Sequence, residues 1–563
     1  MSSQKRSYVQ DETEEIATID LSSRNPDLEE FRTPFDEIDS YSASTPKTQA
    51  ELYMMNLSGV IRSKPEWFKK MNEKTIRKKW KQEALQQYDL SEKQIDYVLN
   101  ELIYYDSIRD GSMEMSTVDG VWQSDQLISN DIKQSLIENV RKLEDIPASD
   151  KDWHPGTNQQ ILDLVHPSLF PYVNHITRIS KDTIHVDNAL ESIGTGQIID
   201  INSLRLFSEI KRQKTSSDYT KSDKYQWLPT EFNVSRDGQV KIESYINNLH
   251  PIEHKDFYLV IEQIFQCFIP LFNKCLTDLL HEKPNRIDVN FSASSRERKT
   301  YKDEKDEEED DDDENKDDND DQDTILDLPE FQMPSPQTST IDLCGRKLQV
   351  IVKLANHILT ADNPEYSGGV WHVEGMENEH IVATGIFYYH SSNITESNLQ
   401  FRTAINEPLF DHDASERANH FFHLYGGRSL NQNLGQVITQ EDRCLVFPNI
   451  YQHRVAPFQL TNPNQLGLRK ILVFFLVDPS ISILSTANVP PQQSHWLRNI
   501  VRSMFPFNQL PQLVIEKIIN YIDFPMSLNQ AYQYRRDLME ERKYFINQNT
   551  EQLFERPFSL CEH

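Results

Sequence analysis

The chain has little of what marks secreted, membrane-spanning or nucleic-acid-binding proteins. Five cysteines in 563 residues, an odd number with no Cys-x-x-Cys pair, favour reduced thiols in an intracellular compartment. No run approaches the roughly 18 apolar residues of a membrane span, and the N-terminus lacks the apolar core of a signal peptide. The net charge of −30 disfavours binding to phosphate backbones. We therefore expect a cytoplasmic protein, with the nucleus as the alternative, that binds neither a membrane nor nucleic acid.

Much of the negative charge is concentrated in one segment. Residues 303–323, DEKDEEEDDDDENKDDNDDQD, contain 16 acidic and two basic residues, so they carry −14 of the −30. A block of like charge repels itself and remains solvated. We predict a disordered loop over 302–323 inside a folded domain. The alternative is a docking site for a basic partner or for cations.

Composition and the spacing of apolar residues divide the rest of the chain into regions. Residues 1–45 are polar and are predicted to be a disordered tail. Residues 46–220 are predicted to be mainly helical, because apolar residues recur at three- and four-residue spacing in 64–108. Residues 491–563 are predicted to be a helical extension, with Ser527 as an N-cap.

Residues 221–490 contain most of the predicted β structure. Asp237-Gly238 lies between two alternating runs, as is typical of a hairpin, and 257–281 is predicted to be an apolar helix packed across a sheet. After the acidic run, many short segments are predicted to be strands, and their close spacing favours a sandwich or closed barrel over a parallel sheet. These segments are 346–359, 370–375, 380–392, 399–404, 434–440, 443–449, 452–460 and 469–479.

A candidate metal site begins at SGGVWHVEGMENEH, residues 367–380. His372 and Glu374 are two residues apart, and side chains at that spacing share one face of a strand. His453, in VFPNIYQHRVAPFQL, offers a third ligand. Two imidazoles and one carboxylate leave open positions on a metal ion, the arrangement of non-haem Fe(II) oxygenases. Arg469, at the start of the last apolar strand, suits the remote carboxylate of a dicarboxylate cosubstrate such as 2-oxoglutarate.

The order of these residues resembles the 2-oxoglutarate/Fe(II)-dependent dioxygenase superfamily, whose fold is a double-stranded β-helix, or jelly roll. Longer stretches, among them WLPTEF, GGVWHVEGMENEHIVATGIFYY and RKILVFFLVDP, resemble a mostly fungal family known as domain of unknown function 4246. The resemblance runs from about Pro46 to the tail. It implies an α+β fold: a jelly-roll core within 221–490, a large helical N-terminal region and a C-terminal helical tail.

The resemblance also implies roles for single residues. His372, Glu374 and His453 would bind Fe(II), and Arg469 would bind 2-oxoglutarate. Two departures from the superfamily pattern are present, because the carboxylate is Glu where Asp is commoner and the interval from His453 to Arg469 is long. The implied function is hydroxylation or demethylation of an unknown small-molecule or protein substrate.

Other interpretations of these residues stay open at this point. A jelly-roll binding or scaffold protein, with a structural metal such as Zn(II) or with none, would carry the same ligand types. Tyr388 and Arg402 are candidates for the pocket, with barrel packing and a surface ion pair as their respective alternatives. The oligomeric state is not indicated. Histidines that compete as ligands are His380, His390, His420 and His423.

Overall fold

The computed structural model describes residues 25–36, 43–199, 220–281, 283–287, 328–335, 337, 339–408, 421–522 and 525–558. Within these ranges the helices are α1 (Gln49–Arg62), α2 (Trp67–Lys70), α3 (Lys74–Gln87), α4 (Glu92–Ser107), α5 (Asn130–Glu144), α6 (Lys255–Leu280), α7 (Ser494–Ser503), α8 (Gln512–Asn520) and α9 (Leu528–Asn549). The strands of the N-terminal half are β1 (Glu114–Met115), β2 (Trp122–Ser124), β3 (Ile161–Val165), β4 (Tyr172–Val173), β5 (Arg178–Ile179), β6 (Gln197–Ile198), β7 (Tyr225–Gln226), β8 (Thr230–Val234) and β9 (Val240–Ile242). Those of the C-terminal half are β10 (Lys347–Leu359), β11 (Glu365–Tyr366), β12 (Ile381–Ser392), β13 (Asn398–Ala404), β14 (Asn431–Ile438), β15 (Cys444–Pro448), β16 (Gln452–Val455), β17 (Phe458–Gln459) and β18 (Gly467–Val477).

Two antiparallel sheets form the centre of the fold. The large sheet has nine strands in the order β1-β2-β15-β12-β18-β10-β8-β9, with β3 also paired to β10. The small sheet has the order β14-β13-β16. The central strands β10, β12 and β18 are 13, 12 and 11 residues long and mostly apolar, as expected for strands that are buried on both faces. The mixed helix-and-sheet class predicted from the sequence is therefore confirmed.

Helix α6 covers the outer face of the large sheet. Its Phe268 lies against Phe474 of β18, with ring centroids 5.5 Å apart. The approach is close enough to require glycine at position 385, where a Cβ would lie 2.9 Å from the ring of Phe272. The predicted apolar helix packed across a sheet is thus confirmed. By length and composition alone α6 is also long enough to cross a membrane, but 56% of its most apolar window is buried within the protein.

The opposite, inner face of the large sheet is turned toward the small sheet. Ile351, Val473 and Phe475 of the large sheet share one buried apolar cluster with Phe401 and Val437 of the small sheet. The neighbouring even-numbered residues of β10 and β18 belong instead to the cluster around α6. Side chains alternate along each strand, so the two clusters identify the inner and outer faces residue by residue.

The N-terminal region differs from the mainly helical expectation. Helices α1 to α5 occupy much of 49–144, but β1, β2 and β3 join the large sheet, β2 against β15 and β3 against β10. These strands are short, and long-range pairing rather than local propensity decides them. Part of the predicted tail also packs on the fold, since Phe31 is buried and Asn25 donates to the carbonyl of Pro479 at 2.6 Å. Residues 1–24 and the acidic segment 302–323 lie outside the described residues.

Helix α9 connects the C-terminal region to the rest of the fold through buried ion pairs. It begins at Ser527, whose side chain forms a capping box with Gln530, as the N-cap prediction requires. Arg535 is 1% exposed and donates hydrogen bonds to Asp152 and Asp163. Two turns further along the same helix side, Arg542 donates to the buried Glu379 at 2.6 Å.

We expect Arg535→Ala to destabilise the protein by about 3–5 kcal/mol, because it leaves the buried Asp163 carboxylate without its guanidinium partner. The free energy of unfolding, measured by urea denaturation, checks this. Arg536→Ala is the matched control, since Arg536 is exposed and donates only to Gln533 of its own helix. A loss for Arg535→Ala no larger than that of the control would contradict the ion network described here.

Candidate metal centre

His372, Glu374 and His453 lie together between the two sheets. Their ligand atoms are within 4.8 Å of one another. Glu374 Oε1 is 3.7 Å from His372 Nε2 and 3.4 Å from His453 Nε2, and the two imidazole centroids are 4.4 Å apart. Two ligands bound to one ion at about 2.0–2.2 Å are separated by about 3–3.4 Å, so small movements would bring all three onto a common ion.

Backbone pairing brings the two histidines side by side. His372 N–H donates to the carbonyl of His453 at 3.2 Å, and His453 N–H donates back at 3.0 Å. Residues opposite each other in an antiparallel pair project to the same side. The chain approaches β16 through Gly368, which has a φ of 94° and on which a Cβ would lie 3.0 Å from the carbonyl of Val455. This explains the first glycine of the Gly-Gly pair before the motif.

The predicted strand over 370–375 is wrong in detail. Only an isolated bridge at His372 pairs with His453, and Glu374 lies in a bend. Instead, Asn449 holds the bend: Glu374 N–H donates to its side-chain oxygen at 2.8 Å, and its amide donates to the Glu374 carbonyl at 2.9 Å. Glu379 supports the next turn by accepting from the N–H groups of Met376 and Trp227. The carboxylate is therefore placed by side-chain hydrogen bonds rather than by a ladder.

The protonation states of Glu374 and His453 suit cation binding. Burial acts to raise the pKa of Glu374, but hydrogen bonds and charge from His372 and His453 outweigh it and hold the pKa well below its usual range. Burial, together with the charge of His372, lowers the pKa of His453. At His372 burial acts to lower the pKa, but the hydrogen bond and charge of Glu374 outweigh it and raise the pKa. Its Nδ1 atom is 2.8 Å from the carbonyl oxygen of Val370, so Nδ1 carries a proton and Nε2 faces Glu374. Carboxylate and neutral imidazole are the forms that bind metals.

Arg469 faces the same interior from β18. It is 2% exposed, lies opposite His357 in the β10–β18 pair, and its NH1 donates to His357 Nδ1 at 3.4 Å. The guanidinium carbon is 4.8 Å from the ring centre of Tyr388. Arg469 forms no ion pair with any carboxylate in the described part of the chain, and its Nε and the Tyr388 hydroxyl are buried without hydrogen-bond partners. A buried cation in this state needs an anion.

Arg402 lies elsewhere. It follows Phe401, which is on the inner face, so strand alternation turns Arg402 outward. Its guanidinium bonds Glu555 at 2.7 Å and Gln452 at 2.7 Å, and stacks over the ring of Trp371. The structure thus places Arg402 in an ion pair on the outer side, away from the three ligand candidates.

The competing histidines take other positions. His390 lies at the end of β12, 3.4 Å from Glu441, and His380 ends the turn after Glu374 in a left-handed conformation. His423 lies in a separate segment between β13 and β14, and His420 is outside the described residues. Neither His380, His390 nor His423 belongs to a group of ligand atoms that converges within the described ranges.

A second convergent group, His154, Asp163 and His166, was not predicted. His154 Nδ1 is 2.8 Å from Asp163 Oδ2, and the guanidinium of Arg535 bonds the same oxygen. That guanidinium already neutralises the carboxylate and would repel a cation beside it. We interpret this group as the ion network that holds α9, and not as a metal site.

Comparison of the sequence with known families identifies one family. A family model described as a protein of unknown function, DUF4246, matches residues 92–500, and a model for the N-terminal domain of the same family matches residues 10–83. The chain belongs to the DUF4246 family. No curated protein matches the sequence.

Solved structures with low overall similarity to this DUF4246 chain include three proteins of 8–10% identity. IDO from Bacillus thuringiensis aligns over 24% of this chain and 47% of its own, with a TM-score of 0.16 and 10% identity. A bsmA homologue from Methylobium petroleophilum aligns over 23% and 42%, with a TM-score of 0.15 and 8% identity. The Fe(II)/α-ketoglutarate-dependent dioxygenase TqaL aligns over 62% and 91%, with a TM-score of 0.22 and 10% identity. This chain therefore spans less than half of the first two proteins.

Sequence reasoning missed several residues of the candidate site in this DUF4246 chain. Asn449 and Glu379 are polar, fully buried and bonded to the turn that carries Glu374. Lys353 and His357 interrupt the apolar strand β10 at alternate positions of one face. That alternation was a usable signal, because a strand buried on both faces has no structural need for two basic side chains on its inner side.

Proposed function

We propose that this protein is an Fe(II)- and 2-oxoglutarate-dependent oxygenase with a jelly-roll core. The observation that carries the proposal is the pairing of two features inside one sandwich. One is the convergent group His372, Glu374 and His453, and the other is Arg469, a buried arginine without a carboxylate partner among the described residues. Neither feature alone would distinguish an oxygenase from a structural metal site.

The strand order supports the jelly-roll part of the proposal. The central strands of the large sheet, β15-β12-β18-β10, face the small sheet β14-β13-β16, and both sheets are antiparallel. The bridge between His372 and His453 extends the small sheet by one more segment. Two facing four-membered layers of this kind form the double-sheet jelly roll.

The donor set fits Fe(II). Two imidazole nitrogens and one carboxylate oxygen are the facial ligands of non-haem iron oxygenases and leave positions open for a cosubstrate and dioxygen. His372 holds its tautomer through the Val370 carbonyl, and Asn449 holds the backbone of Glu374. The longer Glu side chain is accommodated because Glu374 starts from a bend rather than from a regular strand.

The chain's own residues would bind and orient the reactants. Arg469 would hold the remote carboxylate of 2-oxoglutarate through its planar guanidinium, and the Tyr388 hydroxyl would donate to the same group. Phe401 and Phe447 lie against His453 and keep the interior apolar. When bound, Fe(II) with 2-oxoglutarate and dioxygen supplies the oxidant for hydroxylation or demethylation of a substrate.

Anaerobic titration of the purified protein with Fe(II) and 2-oxoglutarate tests the proposal. We expect a weak visible charge-transfer band of a chelated iron complex, saturating at one equivalent of each. Fe(II) without 2-oxoglutarate, and 2-oxoglutarate without Fe(II), should give no band. A protein that holds zinc tightly or no metal, and shows no band, would instead be a scaffold on this fold.

A further inference from the structure

Lys353 lies on the inner face of the large sheet. In the β10–β18 pair it is directly opposite Val473, a member of the inner apolar cluster, and directly opposed residues project to the same side. Two positions earlier, Ile351 opposes Phe475, and both also belong to that cluster. Lys353 is partly buried there. A strand of this length could have kept an apolar residue at the position.

The surroundings of Lys353 connect the metal site with the Arg469 pocket. In the strand register Ile351, two positions from Lys353 on the same face, opposes Phe475, and Thr384 pairs with both Phe475 and Phe447. Phe447 lies against His453, one of the candidate ligands, with ring centroids 4.8 Å apart. In the other direction along β10, His357 opposes Arg469. The charge of Lys353 also acts to lower the pKa of His357 and that of His372. It interacts in the same way with His166 and Asp163 on the β3 side. Lys353 is therefore a cation placed among imidazoles rather than beside an anion of its own.

Within the described ranges Lys353 forms no hydrogen bond and no ion pair. The anion of this group, Asp163, is already bonded to Arg535 and to His154. A partly buried lysine that lacks a partner favours a bound anion, because its charge is incompletely solvated.

Position along the strand separates Lys353 from Arg469. His357 opposes Arg469, and Lys353 opposes Val473. The backbone positions of Lys353 and Arg469 are therefore four residues apart along the paired strands, or about 13 Å. Arg469 lies opposite His357 at one end of the interior. Lys353 lies between that end and the row of Ile351 and Phe475, which continues across the sheet to Phe447 beside His453. A dicarboxylate that extends from the metal ligands to Arg469 would place one carboxylate near each cation.

We propose that Lys353 binds the carboxylate at the keto-acid end of the cosubstrate, while Arg469 binds the carboxylate at the other end. This inference rests on the proposed function, because it requires a 2-oxo acid at the metal site. It assigns the two cations of the interior to two different carboxylates of one ligand. The site would then recognise the 2-oxo acid group itself, not only the length of the dicarboxylate.

The test compares two acids that differ only at the far end. 2-Oxoglutarate has both carboxylates, and 2-oxobutyrate shares the keto-acid end but lacks the distal carboxylate. Each is titrated anaerobically into the Fe(II)-loaded protein, and the charge-transfer band is recorded for the wild type, Lys353→Met and Arg469→Met. Lys347→Met is the matched control, since Lys347 begins the same strand but is exposed and paired with Glu243.

We expect Lys353→Met to weaken both acids by the same factor, about 10- to 100-fold, as for loss of a charge-assisted hydrogen bond. Arg469→Met should weaken 2-oxoglutarate alone, and Lys347→Met should change neither. Where 2-oxobutyrate does not saturate, the initial slope of its titration gives the same ratio. Methionine keeps the length of the lysine stem, and Lys353→Gln repeats the test with a polar side chain if Lys353→Met does not fold.

Two results would overturn the inference while leaving the oxygenase proposal intact. One is that Lys353→Met binds both acids with the affinity of the wild type. The other is a loss confined to 2-oxoglutarate, which would place Lys353 at the distal carboxylate with Arg469. Failure of the wild type to bind either acid in the presence of Fe(II) would instead overturn the proposed function, and the inference with it.

Discussion

Replacing Glu374 with alanine should remove Fe(II) binding, with affinity falling by more than about 100-fold, since loss of an outer-shell partner alone costs 10- to 100-fold. Glu374 supplies the one anionic ligand of the group, and both His372 and His453 are oriented toward its carboxylate. Without it, two neutral imidazoles remain, which bind a hard divalent cation weakly. Equilibrium dialysis with Fe(II) under anaerobic conditions measures the effect.

Two further variants sharpen this prediction. Glu441→Ala is the control, because Glu441 is also a carboxylate near a histidine. It lies 3.4 Å from His390, which is at the far end of β12. It should bind iron as the wild type does. Glu374→Asp tests the length of the side chain: the bend at 374 is positioned for Glu, so Asp should bind iron less well than Glu. Unchanged iron affinity in Glu374→Ala would remove this residue from the site.

Arg469→Met should strongly weaken 2-oxoglutarate binding while leaving Fe(II) affinity unchanged. The guanidinium lies in the interior beside Tyr388 and His357, and no described carboxylate neutralises it. Loss of a bidentate arginine–carboxylate contact in a buried pocket costs about 2–5 kcal/mol, or about 30- to 4,000-fold in affinity. Anaerobic isothermal titration of the metal-free protein with Fe(II), and of the iron-loaded protein with 2-oxoglutarate, measures the two affinities.

Stability provides an independent readout for the same variant. A buried arginine that has no carboxylate partner destabilises the ligand-free protein, so Arg469→Met should unfold at the same or a higher urea concentration than the wild type. An arginine with a purely structural role would show the opposite, a clear loss of stability with no change in ligand binding. Lys470→Met is the control, because Lys470 is adjacent but bonds Glu144 on the other face.

Local pattern predicted the long central elements well. Strands β12 and β18 and helix α6 are long and strongly apolar, and the N-cap of α9 follows from Ser527 and Gln530. In each case the signal lies within the segment itself. Short elements were less predictable: β2 and β3 have three and five residues and exist because β15 and β10 pair with them. Their own sequences do not contain that information.

The candidate site was likewise only partly predictable from the sequence. The residue types and their order, His372, Glu374, His453 and then Arg469, can be read from the chain. Their convergence depends on a backbone bridge between 372 and 453, on Asn449 and on the face of β18 that Arg469 occupies. Arg402 lies one residue after the inner-face Phe401, and alternation along β13 places it on the opposite face, in the ion pair that was its alternative interpretation.

The sequence by itself determined the ligand chemistry and the long buried elements, because residue identity and periodicity are local properties of the chain. Only the tertiary structure decided which basic residues of β10 and β18 share an interior, and which of them lack an anionic partner. The physical reason is that burial and charge compensation depend on neighbours far away in sequence. Lys353 and Arg469 are 116 positions apart, and the register between their strands places both on the same inner face.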